Sequence, residues 1–204
     1  MKNKYQTGYS TRSLMIKEFD AIISSVNDIG EFIAGREKVD INIIPVNSEN
    51  SKKKVLAEVL KRVRNVGNKI FWNLFLNANP EDKSLILFYA ICKSYQLIPD
   101  FVLDVVLNKW YNMDYELSSY DFKNFIYKLS DTHPELEGMS DKNLSNISGA
   151  TLKVLREVGM LKKNTLVQVE YDQQILKEIV NNGDSWFLEV LLLNENERKE
   201  IIEA

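Results

Sequence analysis

Apolar residues recur at helical spacing along nearly the whole chain. The clearest case is residues 48–70. Set about 100° apart, Val55, Leu56, Val59, Leu60, Val63, Val66 and Ile70 fall on one continuous arc. Upstream, Leu14, Met15, Ile22 and Ile23 predict a helix that Ser10 or Thr11 caps and that runs to about Val26. Asp28 caps a second, shorter helix over residues 29–38. The β-branched stretch 39–46, with Pro45 near its end, reads as an extended connector. Asn47 or Ser48 then starts the third helix, which Gly67 ends. Residues 70–76 form an aromatic-rich turn of helix, and Asn77-Ala78-Asn79-Pro80 marks a boundary. Pro80 suits the first position of a helix over 81–97. Ile98-Pro99 restarts a helix to about Tyr111, and Ser118 or Ser119 caps another to Leu129. Thr132-His133-Pro134 is a loop.

In the last third, Ser140 caps a helix through Asn146, and Gly149 or Thr151 opens another through Val158, stopped by Gly159. Residues 166–171 alternate as a strand and pair with 160–162. Helix, helix and hairpin in that order look like a winged helix. Helices over 172–181 and 186–203 close the chain. The expected fold is mainly α. A helix-turn-helix-like unit occupies residues 1–77, a central helical region 78–137, and a winged-helix-like unit with a small β-hairpin 138–204.

Composition narrows the function classes. The 204 residues are 45% hydrophobic and 27% charged, an ordinary globular balance. One cysteine, Cys92, excludes an intramolecular disulfide and a cysteine-based zinc site, and its apolar neighbours mark it as a buried small hydrophobe. No run approaches the roughly 18 apolar residues of a membrane span. Lys2 and Lys4 are not followed by an apolar signal segment. The chain therefore reads as cytoplasmic. Its net charge is −3, but residues 1–70 hold 13 Lys/Arg against 8 Asp/Glu. A basic third on an acidic remainder points to a localised surface for an anionic ligand.

That surface is expected on the third helix. Opposite its apolar arc lie Lys53, Lys54, Lys61, Arg62, Arg64 and Lys69, with only Glu58 among them. Solvated helix faces usually mix signs, whereas this one is nearly single-signed and resembles the spacing of phosphates along a duplex. Ser10, Thr11 and Arg12 are expected near the same backbone. A second candidate set, Lys153, Arg156, Lys162 and Lys163, lies on the helix before the hairpin and at the hairpin itself. Residues 140–204 nevertheless hold 8 basic against 11 acidic residues, which also suits a protein-docking unit.

No catalytic constellation emerges. His133 is the only histidine, and its place before Pro134 suits a packed or capping role. No phosphate-binding glycine loop, dinucleotide fingerprint or zinc-protease motif is present, and no metal or cofactor is implied. Phe122, Phe125 and Leu129 recur at core spacing, while Tyr111, Tyr115, Tyr120 and Tyr127 remain open as stacking platforms.

An ordered series of short motifs resembles one family. It comprises Phe88-Tyr89-Ala90-Ile91-Cys92-Lys93-Ser94-Tyr95, Ile98-Pro99-Asp100-Phe101, Asp114-Tyr115-Glu116-Leu117 with Asp121-Phe122 and Phe125, His133-Pro134-Glu135-Leu136, and Leu155-Arg156-Glu157-Val158-Gly159-Met160-Leu161. Together with Tyr9-Ser10-Thr11, the series resembles the BrxA family of BREX phage-exclusion systems. The last thirty residues match poorly. The resemblance implies a small helical protein with a NusB-like central bundle and helix-turn-helix or winged-helix units. It further implies binding to double-stranded DNA and a place beside other BREX subunits, and it carries no catalytic residues. The leading expectation is a non-enzymatic, sequence-tolerant DNA-binding accessory factor contacting mainly phosphate. A protein–protein adaptor and a NusB-like RNA binder are the alternatives.

Overall fold

The computed structural model describes residues 4–9 and 13–203. The first stretch holds α1 (Ile16–Ser25), α2 (Ile29–Ile33), a 3₁₀ turn (Ile41–Ile43), α3 (Glu49–Val66) and α4 (Lys69–Asn77). Local chemistry sets most of their ends. Asp28 accepts the N–H groups of Gly30 and Glu31, and Ser48 accepts that of Ser51. Gly67 closes α3 at a φ of 71°, a left-handed conformation open to glycine without steric penalty. α1 begins later than expected, after Met15 at a φ of 64°, and has no side-chain cap there. The expected caps Ser10 and Thr11 lie outside the described residues.

α5 (Pro80–Ser94) sits at the centre, capped by Asn79 with proline at its start. It is buried without a gap from Ser84 to Cys92, so α3, α4 and the helix that follows surround it. Burial pushes the Cys92 thiol up, as suits a packed, unreactive side chain. α6 (Leu97–Phe101), a π-helical stretch (Val102–Val106) and α7 (Leu107–Tyr111) then run head to tail, bent 102° from α5. Among the described residues no single helix is long and apolar enough to cross a membrane.

α8 (Ser119–Ser130) opens with a reciprocal capping box between Ser118 and Asp121. α9 (Asp141–Glu157) is one helix, which corrects the expected break at Gly149. Leu144, Ile147, Thr151, Leu152, Val154 and Leu155 form one buried face along it. Packing that face outweighs the roughly 1 kcal/mol by which an internal glycine disfavours a helix.

β1 (Leu161–Lys162) and β2 (Thr165–Leu166) pair antiparallel, with Leu161 opposite Leu166. The strand expected over 166–171 is therefore shorter and shifted; its last rung is the Val167 N–H donating to Met160. A third extended segment joins the hairpin from far away in sequence. Glu116 bridges Thr165, the Leu166 N–H donates to Tyr115, and the Leu117 N–H donates to Asn164. From α6 onward the order is thus helix, short strand, helix, helix, hairpin, with the short strand beside β2.

α10 (Gln173–Asn181), α11 (Phe187–Val190) and α12 (Glu195–Glu203) complete the chain. The single helix expected over 186–203 is split, because Leu192 turns left-handed at a φ of 61° and Asn194 caps α12. One connected set of buried residues extends from Tyr9 to Ile201. A strap of residues 5–9 and 13–14 fastens that core. The Tyr5 hydroxyl donates to Asp100 at 2.6 Å and its N–H to Glu135 at 2.9 Å. The Tyr9 hydroxyl lies 3.0 Å from Thr151 of α9, and the Leu14 N–H donates to Glu157 at 2.8 Å.

Candidate nucleic-acid interface

The expected cationic strip on α3 is interrupted. Arg62 is fully buried, and its inclusion among exposed contacts is corrected. On the helical wheel it stands about 20° from Val55 and about 40° from Val66, so the buried side of α3 takes it in. Its Nε donates to Glu58 at 2.7 Å, and a terminal nitrogen donates to the Ser13 carbonyl at 2.9 Å. Glu58 also accepts the Tyr95 hydroxyl at 2.7 Å. A desolvated guanidinium persists only with such partners, so Arg62 joins α3 to the strap and to the end of α5.

The other α3 cations are divided in their use. Lys53 pairs with Glu49 one turn before it at 2.5 Å. Lys61 lies over the Tyr95 ring, 3.8 Å from its centroid, and donates to Gln6 at 2.7 Å. Burial lowers its pKa below the ordinary lysine value. Arg64 is exposed and donates to the Ile33 carbonyl at 3.0 Å. Lys54 is exposed, and so is Lys69, which lies beyond Gly67 at the start of α4 rather than on α3. Ser10, Thr11 and Arg12 lie outside the described residues.

α9 presents a different surface. Its exposed side carries Lys142, Ser145, Asn146, Gly149, Lys153 and Arg156, spaced three and four apart, which is one stripe of a helix. No carboxylate interrupts that stripe. Asp141 is in the first turn, where the helix dipole favours a negative charge. Glu157 borders the stripe and faces Lys153 at 3.6 Å, a loose pair in water. Residues 141–166 hold five Lys/Arg against two Asp/Glu, against the acidic trend of the remaining tail. The Arg156 Nε donates to the Lys163 carbonyl at 3.0 Å, so the helix holds the hairpin turn in place. Lys163, at a φ of 56°, and Asn164 form the exposed tip of that turn.

Two of the four α9–hairpin candidates therefore lie on the stripe, Lys153 and Arg156, and Lys163 lies at the tip beside it. Lys162 borders another groove, with Glu81, Asp82 and Glu170, and is the least suited of the four to meet a phosphate. The sequence reading missed Lys142, Ser145, Asn146 and Gly149, because it broke the helix at the glycine. A single wheel drawn over 141–157 would have aligned them. The two basic helices also border one groove, lined by Lys17, by Ser51 and Val55 of α3, and by Lys153 and Glu157 of α9.

The remaining candidates take structural places. His133 is buried, with Nδ1 3.0 Å from the Thr132 hydroxyl and its ring 4.7 Å from that of Tyr5. Phe122 and Phe125 are core residues, whereas Tyr111, Tyr115, Tyr120 and Tyr127 are exposed.

Comparison with known proteins is consistent along the chain. The family model described as BrxA matches residues 3–183. A protein from Bacillus cereus (strain H3081.97) named BREX protein BrxA is 22% identical over 194 residues, covering 92% of this chain and 96% of that protein. Another of the same name from Escherichia coli O9:H4 (strain HS) is 25% identical over 118 residues, 58% of this chain and 55% of that protein. The fold is similar to the crystal structure of an uncharacterized protein from Magnetospirillum magneticum. Its TM-score is 0.71 at 16% identity, covering 93% of this chain and 98% of that one. With a family match running through the core, α9 and the hairpin, the chain belongs to the BrxA family of the BREX phage-defence systems.

Proposed function

We propose that this protein is a non-enzymatic, double-stranded-DNA-binding accessory component of a BREX system, working in the cytoplasm. The observation that carries the reading is the acid-free polar and cationic stripe of α9, flanked by the lysine at the hairpin tip. Helix, short strand, helix, helix and hairpin follow one another in the order of a winged helix. In that arrangement α9 holds the place of the recognition helix and the β1–β2 turn that of the wing. Lys142, Lys153 and Lys163 meet phosphate, and the exposed Lys54 and Arg64 of α3 and Lys69 at the start of α4 contribute less. Affinity in this mode comes mainly from counterion release.

Duplex binding titrated against salt tests this. With about four phosphates neutralised, log affinity falls against log salt with a slope of roughly −3 to −4. The triple variant Lys142→Glu/Lys153→Glu/Lys163→Glu is expected to weaken binding and flatten that slope. Unchanged affinity would remove α9 from the interface. Structured RNA outcompeting duplex DNA would favour the NusB-like reading. Stable co-purification with another BREX subunit, without retention on DNA at moderate salt, would favour the adaptor.

A further inference from the structure

We infer that α9 reads base edges in the major groove, with Gly149 as the point where its backbone meets the duplex and Asn146 as the residue that sets a base preference. This rests on the DNA-binding reading and makes it sequence-dependent rather than sequence-tolerant.

Gly149 stands in the middle of a 17-residue helix, on the exposed side. A Cβ built there meets nothing within 4 Å, and the backbone is not in the left-handed region. Nothing inside the fold requires a glycine, although glycine is among the residues a helix interior tolerates least. The missing side chain therefore serves the outside. It leaves a notch on the helix surface, flanked one turn earlier by Ser145 and Asn146 and one turn later by Lys153. A notch of this kind lets a helix seat deeply in a groove wide enough to admit it.

The groups around the notch are those that read bases. Neither Ser145 nor Asn146 uses its side chain on a partner among the described residues. An asparagine amide both donates and accepts, which matches the paired acceptor and donor on the major-groove edge of adenine. Lysines alone would need no such neighbours, and phosphate contact needs no notch. Lys142 and Arg156 lie two turns to either side of Gly149, where they straddle the groove walls.

The test is selection from a randomised duplex pool by the full chain, run in parallel with Asn146→Ala and Gly149→Ala, with affinity and thermal unfolding measured for each. Wild type is expected to enrich a motif containing a preferred adenine. Asn146→Ala is expected to lose preference at that position while the salt slope stays unchanged. Gly149→Ala is expected to raise the unfolding temperature yet weaken binding to the enriched sequence at least tenfold, with a smaller loss on random duplex. A wild type that binds duplex DNA but enriches no motif, or an Asn146→Ala variant that enriches the same one, overturns the base-reading role. Gly149→Ala with undiminished affinity for the enriched sequence overturns the close approach. A wild type that does not bind duplex DNA removes the reading beneath, and this inference with it.

Discussion

α3 and α9 are both amphipathic and both basic, and they differ in what their cations do. α3 carries six Lys/Arg between Glu49 and Val66, twice the number on α9. Yet Arg62 is enclosed by the fold, Lys53 faces Glu49, and Lys61 lies on the Tyr95 ring. α9 has only Lys142, Lys153 and Arg156; Lys153 loosely faces Glu157 at 3.6 Å, but Lys142 and Arg156 have no carboxylate partner among the described residues. Availability for a polyanion depends on where the buried arc ends and on which acids sit one turn away. A count of charges along a helix does not contain either quantity.

The largest effect expected from this contrast is on stability. Arg62→Ala leaves Glu58 buried beside Tyr95 without its counter-charge, and it is expected to destabilise the fold by about 3–5 kcal/mol. Denaturant unfolding would measure this. A loss below 1 kcal/mol would mean that Arg62 belongs to the surface after all.

Next comes DNA affinity. Reversing Lys142, Lys153 and Lys163 together is expected to weaken duplex binding about a hundredfold, near 2.7 kcal/mol. Reversing Lys54, Arg64 and Lys69 is expected to change it by less than about tenfold. Equal losses in the two triples would erase the distinction between the helices. Tyr9→Phe removes the hydroxyl contact with Thr151 under α9, and a stability loss of about 1 kcal/mol is expected in thermal unfolding. Smallest is Lys53→Ala. Its pair with Glu49 is solvent-exposed, so stability should move by no more than about 0.5 kcal/mol.

Much of the fold was legible in the sequence where local chemistry decides. Asp28, Ser48, Ser118, Ser140 and Asp172 each cap a helix, Pro80 opens α5, and Gly67 ends α3. What local rules did not reveal depends on distant partners. α9 stays continuous through Gly149 because its apolar face has a core to pack on. Residues 115–117 become extended because the hairpin offers a free edge about fifty residues later. Arg62 could be read as polar and outward only while the neighbours of its arc were unknown. The candidate site suffered from the same cause. Lys153, Arg156 and Lys163 stood out by charge, but the uncharged members of their stripe became visible only once the helix was seen whole.

The strap also bears on how the protein comes into being. Tyr9 closes on Thr151, 142 positions away, and Leu14 on Glu157, 143 positions away. A ribosome adding residues in order makes the strap early and its seat late, and contacts of such high sequence separation form slowly. Until α9 has been made the strap has no seat, and helices α1 to α5 have no lock at that end. The clasp between the two ends of the fold therefore closes late, only after residues 151–157 have been added.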